Sequence, residues 1–172
     1  MKKSEVKLYN LIFPIWLLWL IPVTWLIVLP ANFIIDLTVI VITMKFLKIP
    51  DIKDNVKLII FKVWIFGFLA DFIGTVSMFI VNIVDFDYQS KLGSWWYKNI
   101  SNPVSYNPFE SIYALLWVTL SLLITGFFIY LFNYKFSLNK TNLDKSQRKK
   151  IALSLAIFTA PYVFYIPTAW FF

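Results

Sequence analysis

The sequence predicts an all-α, polytopic integral membrane protein of about five transmembrane helices, with its N-terminus inside and its C-terminus outside. Three observations carry that expectation. The 172-residue chain is 60% hydrophobic and 15% charged, against about 45–50% apolar and roughly 25% charged for soluble domains. The apolar residues fall in blocks long enough to cross a bilayer, where a span needs about 20 of them. The basic residues cluster between alternate blocks, as cytoplasmic loops do.

The blocks run over 11–29, 31–47, 58–84, 111–133 and 151–172, so residues 1–172 form a single membrane-embedded bundle. Positions 11–47 are almost unbroken, yet one helix of that length would reach about 55 Å and overshoot a hydrocarbon core of ~30 Å. Leu29-Pro30-Ala31-Asn32 is the expected break, because proline lacks an N–H and disfavours helix in the residue before it. The result is two spans joined by a tight turn, or a re-entrant pair dipping from one face. A basic start followed by an apolar run also suggests a secretory signal. The run is longer than such a signal, holds Trp16, Trp19 and Trp25, and lacks a small-x-small cleavage site, so no cleavage is expected.

With the N-terminus inside, the N-terminal segment and the inner loops 48–57 and 134–150, with the helix ends beside them, hold 14 of the 16 basic residues, leaving Lys91 and Lys98 outside. That asymmetry also accounts for the formal charge of +7. The lysines lie between apolar segments rather than on a soluble face, so nucleic acid is not an expected partner. The lipid bilayer is, including anionic headgroups at the inner clusters. The expected location is the plasma (cytoplasmic) membrane, with a bacterial source. The chain has no cysteine and no histidine, which excludes disulfides, thiolate nucleophiles, Cys/His zinc sites, histidine-ligated haem and histidine-based triads. No cofactor and no metal are expected.

The outer loop, 85–110, carries Trp95 and Trp96. Both are expected at the membrane–water boundary, where aromatic rings collect. Asp85 and Asp87 fall far short of the 6–8 oxygens of a calcium site. Asn99-Ile100-Ser101 matches the glycosylation pattern and carries no weight without a secretory context.

Two of the nine acidic residues lie inside apolar blocks: Asp36 in the second and Asp71 in the third. A charge at mid-bilayer costs at least ~2.5–3.5 kcal/mol, and such residues face the bundle interior or a cavity. Asp36 precedes Lys45 by nine residues and Asp71 follows Lys62 by nine, which sets both about 13–14 Å of helix from the inner boundary. A short connection makes the two helices antiparallel neighbours. Gly67, Ala70, Asp71 and Gly74 form a small-residue stripe that lets a second helix approach closely. Asn32 stands one turn before Asp36 and Thr43 seven residues after it. Pro22 falls within the first block, and Pro161 and Pro167 interrupt the fifth. Each is expected to kink its helix and free a carbonyl one turn earlier, at Leu18, Ile157 and Val163, as an oxygen ligand to a cavity.

Paired intramembrane aspartates resemble those of the intramembrane aspartyl proteases. That family carries Gly-x-Gly-Asp, where this chain has Phe68, Leu69 and Ala70 before Asp71, so proteolysis is not implied. Length, span number and tryptophan richness resemble the tryptophan-rich sensory (translocator) proteins in composition, without a shared motif. No phosphate loop, metal-ligand helix or nucleophile elbow is present, and no enzymatic activity is expected. The expected function is transport, or ion or solute binding, at a proton- or cation-responsive site formed by Asp36 and Asp71, with Asn32 and Asn82 as neighbours. Its ligand would be a small cation, a proton or a small molecule. The alternative is an accessory, scaffold or immunity-type membrane subunit whose aspartates only pack helices, working as a homo-oligomer or beside a partner subunit.

Overall fold

The computed structural model describes Pro14, Trp16, Leu17 and residues 21–170. The described residues are helical, with no strand among them. The principal helices are α1 (Trp25–Phe46), α2 (Ile52–Ile83), α3 (Lys91–Trp96), α4 (Asn102–Tyr106), α5 (Ile112–Phe132) and α6 (Lys145–Phe158). Four of them close a ring in which α1 packs on α2, α2 on α5, α5 on α6, and α6 back on α1. Two helical runs, Pro22–Phe46 and Ile112–Ser137, are long and apolar enough to cross a membrane.

The expected break at Pro30 does not occur. Pro30 lies inside α1, and the helical run is preceded by Ile21, which is extended and leads into a 3-10 turn over Pro22–Thr24. Pro22 therefore opens a helix rather than kinking one. One helix, α1, joins the end of the block expected at 11–29 to the block expected at 31–47, while residues 11–13, 15 and 18–20 of the first block, Leu18 among them, lie outside the described residues. The physical reason is a count of lost bonds. An internal proline removes one main-chain hydrogen bond, whereas dividing the helix would expose about four N–H and four C=O groups at the new ends. In apolar surroundings each such group costs several kcal/mol.

α1 ends in a Schellman arrangement. Ile49 N–H reaches the Met44 carbonyl and Lys48 N–H the Lys45 carbonyl, each at 3.0 Å. Lys48 sits in the left-handed region at φ 52°, a position that glycine takes most easily. Met44 and Ile49 are both buried in the same apolar cluster. The turn delivers the chain into α2 six residues before the expected start at 58, because Lys53, Asp54 and Lys57 continue the helix past its apolar part.

Along α2 the buried positions recur every three or four residues and include Ile59, Val63, Gly67, Asp71 and Gly74. The opposite face exposes large apolar side chains such as Phe61, Ile65, Phe72 and Phe79. α1 and α5 do the same with Ile34, Ile42, Leu116 and Leu123, while Asp36, Asp71, Thr75, Ser121 and Thr125 are buried. Large apolar side chains thus cover much of the outside, and these few polar residues lie in the interior. Two apolar clusters fill the ring. One holds Ile40, Val63 and Ala70 with Leu155; the other holds Met78, Val118 and Phe164. On α2 the polar residues Asp71 and Thr75 fall between them.

Tryptophans fasten neighbouring elements. Indole N–H groups donate to main-chain carbonyls from Trp16 to Val104, from Trp64 to Leu29, from Trp96 to Val81 and from Trp117 to Ser77. A buried indole needs such a partner. The 85–110 segment is accordingly a helical cap, whose Ile100 and Val104 join the second cluster. Trp96 packs inward on α2, and Trp95 stays exposed against Tyr113.

The helix expected over 151–172 is corrected at both ends. α6 begins at Lys145 under a capping box of Asp144 and Gln147 and stops at Phe158. Ala160 precedes Pro161 and is therefore pushed out of the helical region. Pro167 repeats the effect, so the chain continues as 3-10 turns over Tyr162–Tyr165 and Thr168–Trp170. Pro161 follows the end of the helix and Pro167 separates the two 3-10 turns, so neither bends a continuing helix.

Candidate functional site: a cavity between two aspartates

The stop after Phe158 creates the site. Where α6 ends, its next residues line a cavity of about 440 Å³ together with α1 and α2. Asn32, Asp36, Gly67, Asp71, Thr159 and Pro161 are among its walls. Most of the remaining lining is apolar, and among the described residues no basic side chain contributes to it.

Each polar group is set by its helix. Asn32 and Asp36 are one turn apart on α1, and Gly67 and Asp71 one turn apart on α2. The two carboxyl groups are buried, at 4% and 3% relative exposure, and lie within electrostatic reach of each other. Asn32 Nδ2 donates to Asp71 Oδ2 at 3.2 Å, tying α1 to α2. Asp71 Oδ1 has no hydrogen-bond partner among the described residues. Asp36 meets the Thr159 side chain, whose hydroxyl also donates to the Leu155 carbonyl at 2.9 Å. Gly67 supports the approach, since a Cβ there would sit 3.4 Å from Asp36 Oδ2.

The small-residue stripe has two separate tasks. Gly67 faces Asp36, while Gly74 faces α5, where an added Cβ would run into the Thr125 hydroxyl. Ala70 is buried in the first apolar cluster.

Asn82, expected beside the aspartates, is elsewhere. Its Oδ1 accepts from Ser101 at 3.2 Å and Ser105 at 3.1 Å, which fastens the helical cap to the end of α2. It lies eleven residues beyond Asp71, about 16 Å along the helix. The expected carbonyl ligands are also occupied. The Ile157 oxygen receives the Tyr162 hydroxyl at 2.5 Å, and the Val163 oxygen receives Ile166 N–H at 3.0 Å. Pro22 and Pro167 do not line the cavity.

Sequence reasoning did not single out Thr159. Its signal was Thr-Ala-Pro at the end of a helix, because the proline determines where the chain leaves α6 and so which side chain meets Asp36. The described residues contain no group of three or more His, Cys, Asp or Glu that could hold a metal. Two carboxyls, one amide and one hydroxyl can hold protons, accept N–H donors or balance a monovalent cation. No protein-family model, curated protein or solved structure matches this chain.

Proposed function

We propose that the chain is a polytopic protein of the cytoplasmic membrane, of transport or ion/solute-binding type, and that Asp36 and Asp71 are the binding groups of its central cavity. Membrane placement is supported by the many large apolar side chains exposed on the outside, while Asp36, Asp71, Thr75, Ser121, Thr125 and Asn133 are buried inside. In this reading α1, α2, α5 and the α6 segment with its 3-10 turns are the crossings among the described residues. α2, at 32 residues, measures about 48 Å, long enough to reach from water to water. The cytoplasmic end carries the α1–α2 and α5–α6 turns, because residues 45–62 and 135–150 hold five and six of the 16 basic residues.

One observation carries the functional reading: two buried acids from neighbouring helices open on one cavity, and one of them keeps an oxygen with no partner among the described residues. A pair that only packed helices would satisfy both carboxyls with donors across the interface, as buried polar groups normally are. The test is reconstitution in liposomes with an internal pH dye, comparing the wild type with Asp36→Asn plus Asp71→Asn. Proton or cation responses present in the wild type and absent from a folded double variant support the reading. Equal behaviour of the two proteins overturns it in favour of a packing role within an accessory subunit.

A further inference from the structure

We propose that the ligand of the Asp36–Asp71 cavity is a small organic ammonium ion with an apolar body, admitted sideways from the lipid between α1 and the end of α6. The proposal rests on the preceding reading of the pair as a binding site and names the class of ligand. Volume is the first argument. About 440 Å³ lies within the roughly 300–1,000 Å³ of small-molecule pockets and far exceeds what a bare ion fills.

The second argument is the division of the walls. The carboxyls, Asn32 and Thr159 supply the polar groups, whereas Ile27, Val28, Ile35, Phe158 and Val163 supply hydrocarbon. A molecule with one charged end and an apolar remainder matches both parts. The donor set argues for an ammonium over a divalent metal, since calcium takes 6–8 oxygens. An ammonium N–H can reach Asp71 Oδ1, which is buried and has no hydrogen-bond partner among the described residues. The charge balance has the right sign too, because among the described residues no Lys or Arg lines the cavity to neutralise the acids.

The route follows from the rim. Ile27, Ile35, Phe158 and Tyr162 line the cavity and are also exposed on the outer surface. They belong to the apolar face that meets lipid in the membrane reading. A ligand dissolved in the bilayer reaches the carboxyls through this opening without crossing an aqueous entrance.

The experiment is equilibrium dialysis of the full chain in lipid nanodiscs, with empty nanodiscs subtracted. The probes are 4-phenylbutylammonium and its uncharged counterpart 4-phenylbutan-1-ol. The expected result is saturable binding of the amine, roughly tenfold or more tighter than the alcohol. Asp36→Asn and Asp71→Asn should each weaken it by a similar factor, the effect of losing one charge-assisted hydrogen bond. Ile35→Trp, which narrows the opening without touching a carboxyl, should weaken it as well, while Leu120→Trp on the exposed face of α5 should not. Equal binding of amine and alcohol, or amine binding unchanged by both Asn variants, overturns the proposal. Sodium and pH responses are measured on the same samples. If these depend on the aspartates and the amine does not bind, the ammonium class falls and the ion-site reading stands; if neither depends on them, both fall.

Discussion

Gly74→Ala is a direct probe of the packing between α2 and α5. An added Cβ at Gly74 would overlap the Thr125 hydroxyl and approach Phe164 Cε2 to 3.1 Å. Neither neighbour has room to retreat. The Thr125 hydroxyl is held on the Ser121 carbonyl at 2.8 Å, and Thr125 and Phe164 are both almost fully buried. Overpacking of this kind costs about 1–3 kcal/mol. Replacing glycine by alanine within a helix returns about 1 kcal/mol, so the net expectation is a loss of up to about 2 kcal/mol. Gly126→Ala on α5 is the control, since its nearest contact is the Ala156 carbonyl at 3.5 Å. It should be neutral or up to about 1 kcal/mol more stable. At about 2–4 °C per kcal/mol for a chain of this size, thermal unfolding in detergent should separate the two variants by several degrees. Adding Thr125→Ala to Gly74→Ala should recover part of the loss. Equal stability of Gly74→Ala and Gly126→Ala would refute the reasoning.

Lys48→Gly should raise stability by about 1 kcal/mol by relieving the left-handed residue at the end of α1, whereas Lys48→Ala should not; the same thermal assay checks both. Asn82→Ala should cost about 1 kcal/mol by leaving the buried Ser101 and Ser105 hydroxyls without their acceptor, and the cost should vanish when both serines are also alanine. The Tyr97 hydroxyl donates to Asp85 Oδ1 at 2.7 Å, a bond that pushes the phenol above its ordinary value. Its neutral form is the one folding favours, so this contribution is complete below about pH 10 and is lost as pH rises through the folded value. Ultraviolet titration of wild type against Asp85→Asn should show one tyrosine ionising at lower pH in the variant, and identical curves would contradict the assignment.

How much of this was legible in the sequence depends on the residue. Asp36 and Asp71 stand out because apolar surroundings make any carboxylate conspicuous. Their equal spacing from Lys45 and Lys62 predicts a common depth, and in the structure both line one cavity. Pro30 misleads because a local rule about the residue before proline competes with the larger cost of exposing two helix ends. Asn82 misleads for a different reason: at the end of α2 its partners come from Ser101 and Ser105, about twenty residues downstream, and no helical periodicity reports them. Thr159 is invisible until α6 is known to stop at Phe158, and that stop follows from Pro161. The indole bonds of Trp64 and Trp117 were equally hidden, since composition places tryptophan at membrane boundaries and says nothing of a carbonyl on the next helix.

The central claim is that Asp36 and Asp71 act as one site within one cavity. Carbon-13 NMR of aspartate-labelled protein in nanodiscs tests it most directly, with each carboxyl resonance assigned by its loss in Asp36→Asn or Asp71→Asn. The account predicts that removing either acid changes the titration of the other, because interacting groups titrate as a pair, and that a bound cation moves both resonances together. Two resonances that titrate independently, each unmoved by loss of its neighbour, would contradict it.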